Sequence, residues 1–184
     1  MNQPLSELEQ KFVLHWGEMG NKWGINRTVA HIHALLLVSP KPLSADDIAN
    51  TLSIARSNVS TSVKELLGWE IIKPVPILGE RKEHYEALKA PWEMFRIIAD
   101  KRKRREIDPT VHALQQCLME FGEDDKQPAE AKQQIKDILD FFETISNAYD
   151  QSNKLPTPVL IKLFKMENRV DKLLSLIPGF RPKA

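Results

Sequence analysis

The run Leu43-Ser44-Ala45-Asp46-Asp47-Ile48-Ala49-Asn50-Thr51-Leu52-Ser53-Ile54-Ala55-Arg56-Ser57-Asn58-Val59-Ser60-Thr61-Ser62-Val63-Lys64-Glu65-Leu66-Leu67-Gly68 contains two helix starts and one short turn. Ser44 followed three residues later by Asp47 is a capping-box-like start: the hydroxyl accepts from a first-turn amide while the carboxylate sits at the positive helix end. Ala45, Ile48, Ala49 and Leu52 then share one apolar stripe, which predicts a short helix ending near Leu52. Ser53-Ile54-Ala55 is a three-residue connection. Val59, Val63, Leu66 and Leu67 give the next helix its buried stripe, closing at Gly68. Two short helices joined by three residues are the pattern of a helix-turn-helix.

The flanks extend that pattern. Downstream, Ile71-Ile72-Lys73 and His84-Tyr85-Glu86-Ala87-Leu88 bracket the turn Leu78-Gly79-Glu80-Arg81-Lys82-Glu83, as in a hairpin with a long loop. Pro74 and Pro76 lack amide donors, so the first strand is expected at an edge or interrupted. Upstream, Leu5, Leu8, Phe12 and His15/Trp16 recur at helical steps, and Ile25, Val29, Ile32, Leu35 and Leu36 repeat the pattern before Ser39-Pro40. Pro91 opens another helix with Trp92, Phe95, Ile98 and Ala99 on one face. Asp108-Pro109 kinks that helix or caps a new one carrying Val111, Leu114, Leu118 and Phe121. Ile135, Ile138, Phe142, Ile145 and Tyr149 form a heptad seam, and a last helix is expected from about residue 157 to 177. The predicted fold is mainly α: a winged helix-turn-helix with a small β-hairpin wing, plus long N- and C-terminal helices forming a dimerisation region. Its divisions are 1–24 for an N-terminal packing helix, 25–90 for the winged module and 91–184 for the helical dimerisation region.

On a helical wheel the second helix of the pair turns Ser57, Asn58, Thr61, Lys64 and Glu65 outward, with Arg56, Ser60 and Ser62 on the flanks. Small hydrogen-bonding side chains approach bases and phosphates closely, and arginine forks onto a guanine edge or a phosphate. Arg81 and Lys82 beside Gly79 make a basic wing tip, and Ser44 and Ser53 are candidates for further phosphate contacts. Each feature has a plainer reading. Ser, Thr and Asn are common helix caps, and a polar outer face is what any surface helix carries. It is the joint order of helix pair, basic hairpin and long helices that points to double-stranded DNA as partner.

Charge at first argues otherwise. The 184 residues hold 26 Lys+Arg against 25 Asp+Glu, a net +1, whereas binding a polyanion is driven by cations neutralising phosphates. The charges are segregated, however. Residues 41–105 hold 13 bases and 9 acids, while residues 106–153 hold 3 bases and 11 acids. A basic middle beside an acidic segment suggests one face for DNA and another kept off it.

Several motifs together resemble the glycine-betaine-synthesis repressor branch of the MarR-type regulators. They are Trp23-Gly24-Ile25-Asn26-Arg27, Leu35-Leu36-Leu37-Val38-Ser39-Pro40-Lys41-Pro42-Leu43-Ser44, Arg56-Ser57-Asn58-Val59-Ser60, Gly79-Glu80-Arg81-Lys82-Glu83-His84-Tyr85 and Pro91-Trp92-Glu93-Met94-Phe95. The resemblance covers nearly the whole chain. It implies a homodimeric bacterial transcription regulator, a repressor of a transport or synthesis operon, with each recognition helix in successive major grooves and the terminal helices at the dimer interface. For some members of that branch it also implies a response to choline-like molecules. Ala55 departs from the Ser or Thr such proteins tend to place before the arginine, so this recognition helix is expected to lack a side-chain N-cap.

Other signals weigh less. Lys101-Arg102-Lys103-Arg104-Arg105 either contacts phosphates or is solvated surface. Trp16, Trp23 and Trp92, with Phe12 and Phe95, are candidates for an aromatic box around a quaternary ammonium, yet each lies on an apolar stripe where core packing accounts for it. Cys117 lies near the Leu114, Leu118 and Phe121 stripe with no evident cationic neighbour, which disfavours the redox role some MarR-type proteins have. His15, His31, His33, His84 and His112 lack metal-ligand spacing, and no nucleophile-elbow or phosphate-cradling motif is present, so neither a metal, a cofactor nor an enzyme is expected. The lone Cys117 fits a reducing cytosol, the start lacks the apolar core of a secretory signal, and no run reaches the ~18 apolar residues of a membrane span. The rival to the regulator is a winged-helix protein-interaction module whose seam recruits a partner chain while the wing never meets DNA.

Overall fold

In a computed structural model, which describes residues 4–121 and 128–165, the chain forms two compact units, Met1–Lys101 and Arg102–Ala184. The first unit opens with α1 (Glu7–Lys22), started by a full capping box in which Ser6 and Glu9 satisfy each other's backbone amides. Helix α1 lies along α2 (Arg27–Val38). Glycine is what allows the approach, because a Cβ at Gly17 would stand 2.0 Å from the His31 ring and one at Gly20 would stand 2.6 Å from the Ala30 Cβ. Gly24, at φ +75°, makes the turn between the two helices.

A two-residue strand β1 (Leu43–Ser44) leads into α3 (Ala45–Leu52), and α4 (Arg56–Gly68) follows. The turn between these helices rests on Ser53, whose φ of 53° is left-handed and ends α3. Strands β2 (Ile72–Val75) and β3 (His84–Ala87) form the wing, and β1 pairs on the other side of β3, giving an antiparallel sheet of order β1-β3-β2. Pro74 faces Tyr85 on the edge strand β2, where its missing amide costs least. One core joins these elements: Ile32, Leu35 and Leu36 of α2 meet Ile48 of α3, Val59 and Leu66 of α4 and Ile71, all fully buried. Helix α5 (Pro91–Arg102) lays Met94, Ile97 and Ile98 against it. His33 is also buried within α2, and desolvation pushes its pKa down to about 4.

In the second unit a π-helical turn, Lys103–Ile107, precedes α6 (Asp108–Phe121). Asp108 has helical dihedrals of −59° and −42°, so it neither caps a helix nor breaks one. The irregularity falls in the turn before Pro109, where a wider backbone relieves the clash of a proline ring with the carbonyl four residues earlier. Helix α7 (Ala129–Asn153) packs against α6, with Gln115 Nε2 donating to Glu143 at 2.7 Å, and α8 (Thr157–Phe164) follows. The remainder of the helix expected to run to residue 177 lies outside the described residues. The seam expected on α7 divides in two. Leu139, which the heptad omitted, is the buried residue of this helix, while Ile138 and Ile145 of the seam stand exposed together with Phe141. The architecture is a mainly helical winged helix-turn-helix with a small three-stranded sheet, as expected. Among the described residues no helix is long and apolar enough to cross a membrane.

Candidate nucleic-acid interface

Helix α4 turns Val59, Val63 and Leu66 into the core and leaves Arg56, Ser57, Asn58, Ser60, Thr61 and Lys64 exposed. Ser62, read from the wheel as a flanking residue, is 5% exposed and belongs to the core side. The Thr61 hydroxyl donates back to the Ser57 carbonyl at 3.2 Å, so its methyl is the part left to face outward. Ala55 occupies the N-cap with no side-chain cap hydrogen bond, as its lack of a hydroxyl requires.

Ser44 and Ser53 serve the local backbone. Ser44 is buried and caps α3: its hydroxyl accepts from the Asp47 amide at 3.2 Å and donates to the Asp47 carboxylate at 2.6 Å. That geometry occupies the hydroxyl the sequence had offered to a phosphate. Ser53 is exposed at the αL turn residue between α3 and α4.

The wing tip carries Leu78, fully exposed, then Gly79 at φ +85°, then Arg81 and Lys82, both exposed. At the wing base, the two ring nitrogens of buried His84 stand 3.0 Å from the Lys82 carbonyl oxygen and 3.0 Å from the Glu80 carboxylate. Tyr85 donates its hydroxyl to Glu83 at 2.7 Å, and burial together with that bond pushes its pKa up to about 12.

One residue absent from the sequence reading joins helix and wing. Asp46, in the first turn of α3, takes Arg56 Nη1 on one carboxylate oxygen and Lys82 Nζ at 2.7 Å on the other. The head of α4 and the wing therefore present their cations on one face. The only signal in the sequence was a second acid beside Asp47, and the helix macrodipole already accounted for that.

The basic run that spans the end of α5 and the π-helical turn is substantially paired. Lys101 donates to Glu70 at 2.7 Å, Lys103 bonds Asp108 at 2.9 Å and lies 3.4 Å from Asp150, and Arg105 donates to Glu106 at 2.7 Å. Lys103 is 14% exposed at its side chain, so the run is not uniformly solvated. Of the four tryptophans, three are candidates for the aromatic box. Trp16 packs its ring with those of Phe12 and His33, Trp92 packs with Phe95, and Trp23 is 57% exposed. A cleft of about 570 Å³ between α1, α2 and α3 is lined instead by Leu5, Val13, Leu14, His31 and Leu52 among others. Among the described residues no cluster of His, Cys, Asp and Glu is arranged to hold a metal ion.

No family model and no curated relative matches the sequence. Among solved structures, the chain is similar to a transcriptional regulator of known crystal structure at 17% identity, with a TM-score of 0.61 over 79% of this chain and 95% of that one. It also matches the adhesin competence repressor (AdcR) from Streptococcus pyogenes at 20% identity, with a TM-score of 0.33 over 76% of this chain and 95% of that one. The first likeness shows a shared fold.

Proposed function

We propose that this chain is a sequence-specific DNA-binding transcriptional regulator that acts as a homodimer on a pseudo-palindromic operator, most simply as a repressor. What carries the reading is the single face on which the exposed polar row of α4 and the basic wing meet, with Arg56 and Lys82 within reach of one carboxylate. In this reading α4 enters the major groove. Arg56 forks onto a guanine edge, Asn58 onto an adenine, and the Thr61 methyl meets a thymine methyl, while Ser57, Ser60, Lys64 and Ser53 lie near phosphates. Arg81 and Lys82 follow the backbone or the adjacent minor groove. Ser44 acts by capping α3 rather than by contact.

Dimerisation is supported by the exposed apolar row Ile138, Phe141 and Ile145 on α7 and by Leu163 and Phe164 on α8. Two copies would space their α4 helices about 34 Å apart, one turn of DNA. The choline-like effector rests on the resemblance to MarR-type regulators alone. Calorimetry with choline and glycine betaine tests it, and no heat at millimolar ligand retires both compounds.

The decisive experiment selects duplexes from a random pool with the whole protein and then measures retention against salt. Enrichment of a palindromic sequence, weakened about 1–3 kcal/mol by Arg56→Ala, is the expected result. No enrichment and no retention at low salt would replace the regulator with the protein-interaction module, whose support is the same exposed row on α7.

A further inference from the structure

Asp46 sits where a DNA-reading surface has reason to avoid a carboxylate. It is 33% exposed at its side chain, and it holds the first side chain of α4 and the wing lysine at once. Neither cation is sequestered, since the Arg56 and Lys82 side chains are 61% and 62% exposed. A phosphate approaching Arg56 and Lys82 therefore meets two cations that share one carboxylate of its own sign, a cluster with one net positive charge in place of two. Exchanging one anion for another gains little, because the favourable part of phosphate binding comes from bare cations that release counterions from the duplex. A guanine edge is different. Arg56 engages Asp46 through Nη1, and a guanidinium carries five N–H donors in a fixed fork, so it can hold the carboxylate and still offer donors to a base. The need for such a hold is local: α4 lacks a side-chain N-cap at Ala55, and the tie to α3 is what orients the side chain at its first residue.

We infer that Asp46 is a specificity-determining positioning residue: it occupies Arg56 and Lys82 in the free protein, suppressing sequence-independent phosphate binding while aiming Arg56 at a base. This inference rests on the DNA-binding reading above.

The test uses the full chain and two probes, a duplex selected by the wild-type protein and a scrambled duplex of equal length and composition. Affinities are measured between about 50 and 200 mM salt. Asp46→Asn is expected to tighten the scrambled duplex about threefold or more and to steepen its salt dependence by about 0.9, the value for one further neutralised phosphate, because one carboxylate offsets one of the two cations. The ratio of selected to scrambled affinity falls accordingly. Asp46→Glu keeps the charge and the wild-type slope. In an Arg56→Gln, Lys82→Gln background, Asp46→Asn leaves the slope where it was, since no paired cation remains to free. Equal weakening of both duplexes at an unchanged slope, or no effect on either, overturns the inference while the DNA-binding reading stands. Wild-type protein that retains neither duplex overturns that reading itself. If Asp46→Asn does not fold, a slope that Asp46→Glu steepens counts against the inference.

Discussion

Placing a hydroxyl at residue 55 tests the local architecture of α4 most directly. Ala55 has φ −63° and ψ 139°, the extended geometry an N-cap residue adopts, and its carbonyl already accepts from the Asn58 and Val59 amides at 3.0 and 3.2 Å. What the position lacks is a side-chain oxygen for the amides of the first turn. Ala55→Ser supplies one with no change of backbone. The gain expected from such a cap is typically ~1 kcal/mol, within a range of about 0.5–2. Because the chain has two compact units, amide exchange inside the first is the cleanest readout. The Ser57 and Asn58 amides should exchange about five times more slowly, the factor that corresponds to ~1 kcal/mol. The melting midpoint should rise about 2–4 °C, as the same energy does in proteins of this size. Ala55→Val, which adds bulk and no acceptor, should give neither effect. Unchanged exchange in Ala55→Ser, or an equal gain in Ala55→Val, would falsify the claim that an absent cap limits this helix. On the DNA-binding reading the serine variant also binds the selected duplex more tightly, since less of the protein has a frayed α4 start.

Glycine positions give a paired prediction. Gly20→Ala brings a Cβ to 2.6 Å from the Ala30 Cβ, which has no rotamer through which to yield, so α1 and α2 must separate. The overpacking cost of about 1–3 kcal/mol exceeds the ~1 kcal/mol of helix propensity regained, and the urea midpoint should fall. Gly68→Ala meets nothing within 4 Å and should raise stability by about 0.5–1 kcal/mol; the reverse order of the two variants refutes the contact. His33 predicts a pH dependence. Its folded pKa of about 4 lies below the 6.5 of an unperturbed histidine, so the unfolded chain binds the extra proton first and stability falls as pH drops from 6.5 toward 4. The loss is about 3 kcal/mol at most, and urea titrations of His33→Phe should lack this component; equal slopes in both proteins would remove His33 as the cause. Phe141→Glu with Ile145→Glu places charge on the exposed α7 row and should convert a dimer to a monomer in sedimentation measurements at micromolar protein. A wild-type chain that sediments as a monomer refutes the two-half-site arrangement.

Helix positions were legible because apolar spacing reports which side is buried: Val59, Val63 and Leu66 on α4, and Ile48 on α3, are core residues as their stripes require. The wing was legible from its prolines and its glycine-bearing turn, and the missing cap from a single side chain. Strand β1 was not, since two residues carry no period, and Leu43 and Ser44 become a strand only because β3 offers free backbone groups beside them. The α7 seam misplaced its buried residue for a related reason. A row of apolar residues on a helix shows where a partner is needed without telling a neighbouring helix from a second chain, and Leu139 is buried while Ile138 and Ile145 stay open. Asp46 escaped notice because its partners lie 10 and 36 positions away, beyond the reach of any local pattern. Ser62 looked peripheral on an ideal wheel but is buried beside Val63 on the core side of α4.

Ser44 belongs to two structures at once. Through its backbone it is the last residue of β1, registered against His84 of the wing; through its hydroxyl it is the cap of α3. A load applied to the wing therefore reaches the root of the helix-turn-helix through Ser44 directly, with no slack loop to absorb it, alongside the Lys82–Asp46 pair. The wing and the first turn of α3 should open to solvent as one cooperative unit, and a duplex that displaces the wing would tilt the helix pair as a lever does about its pivot.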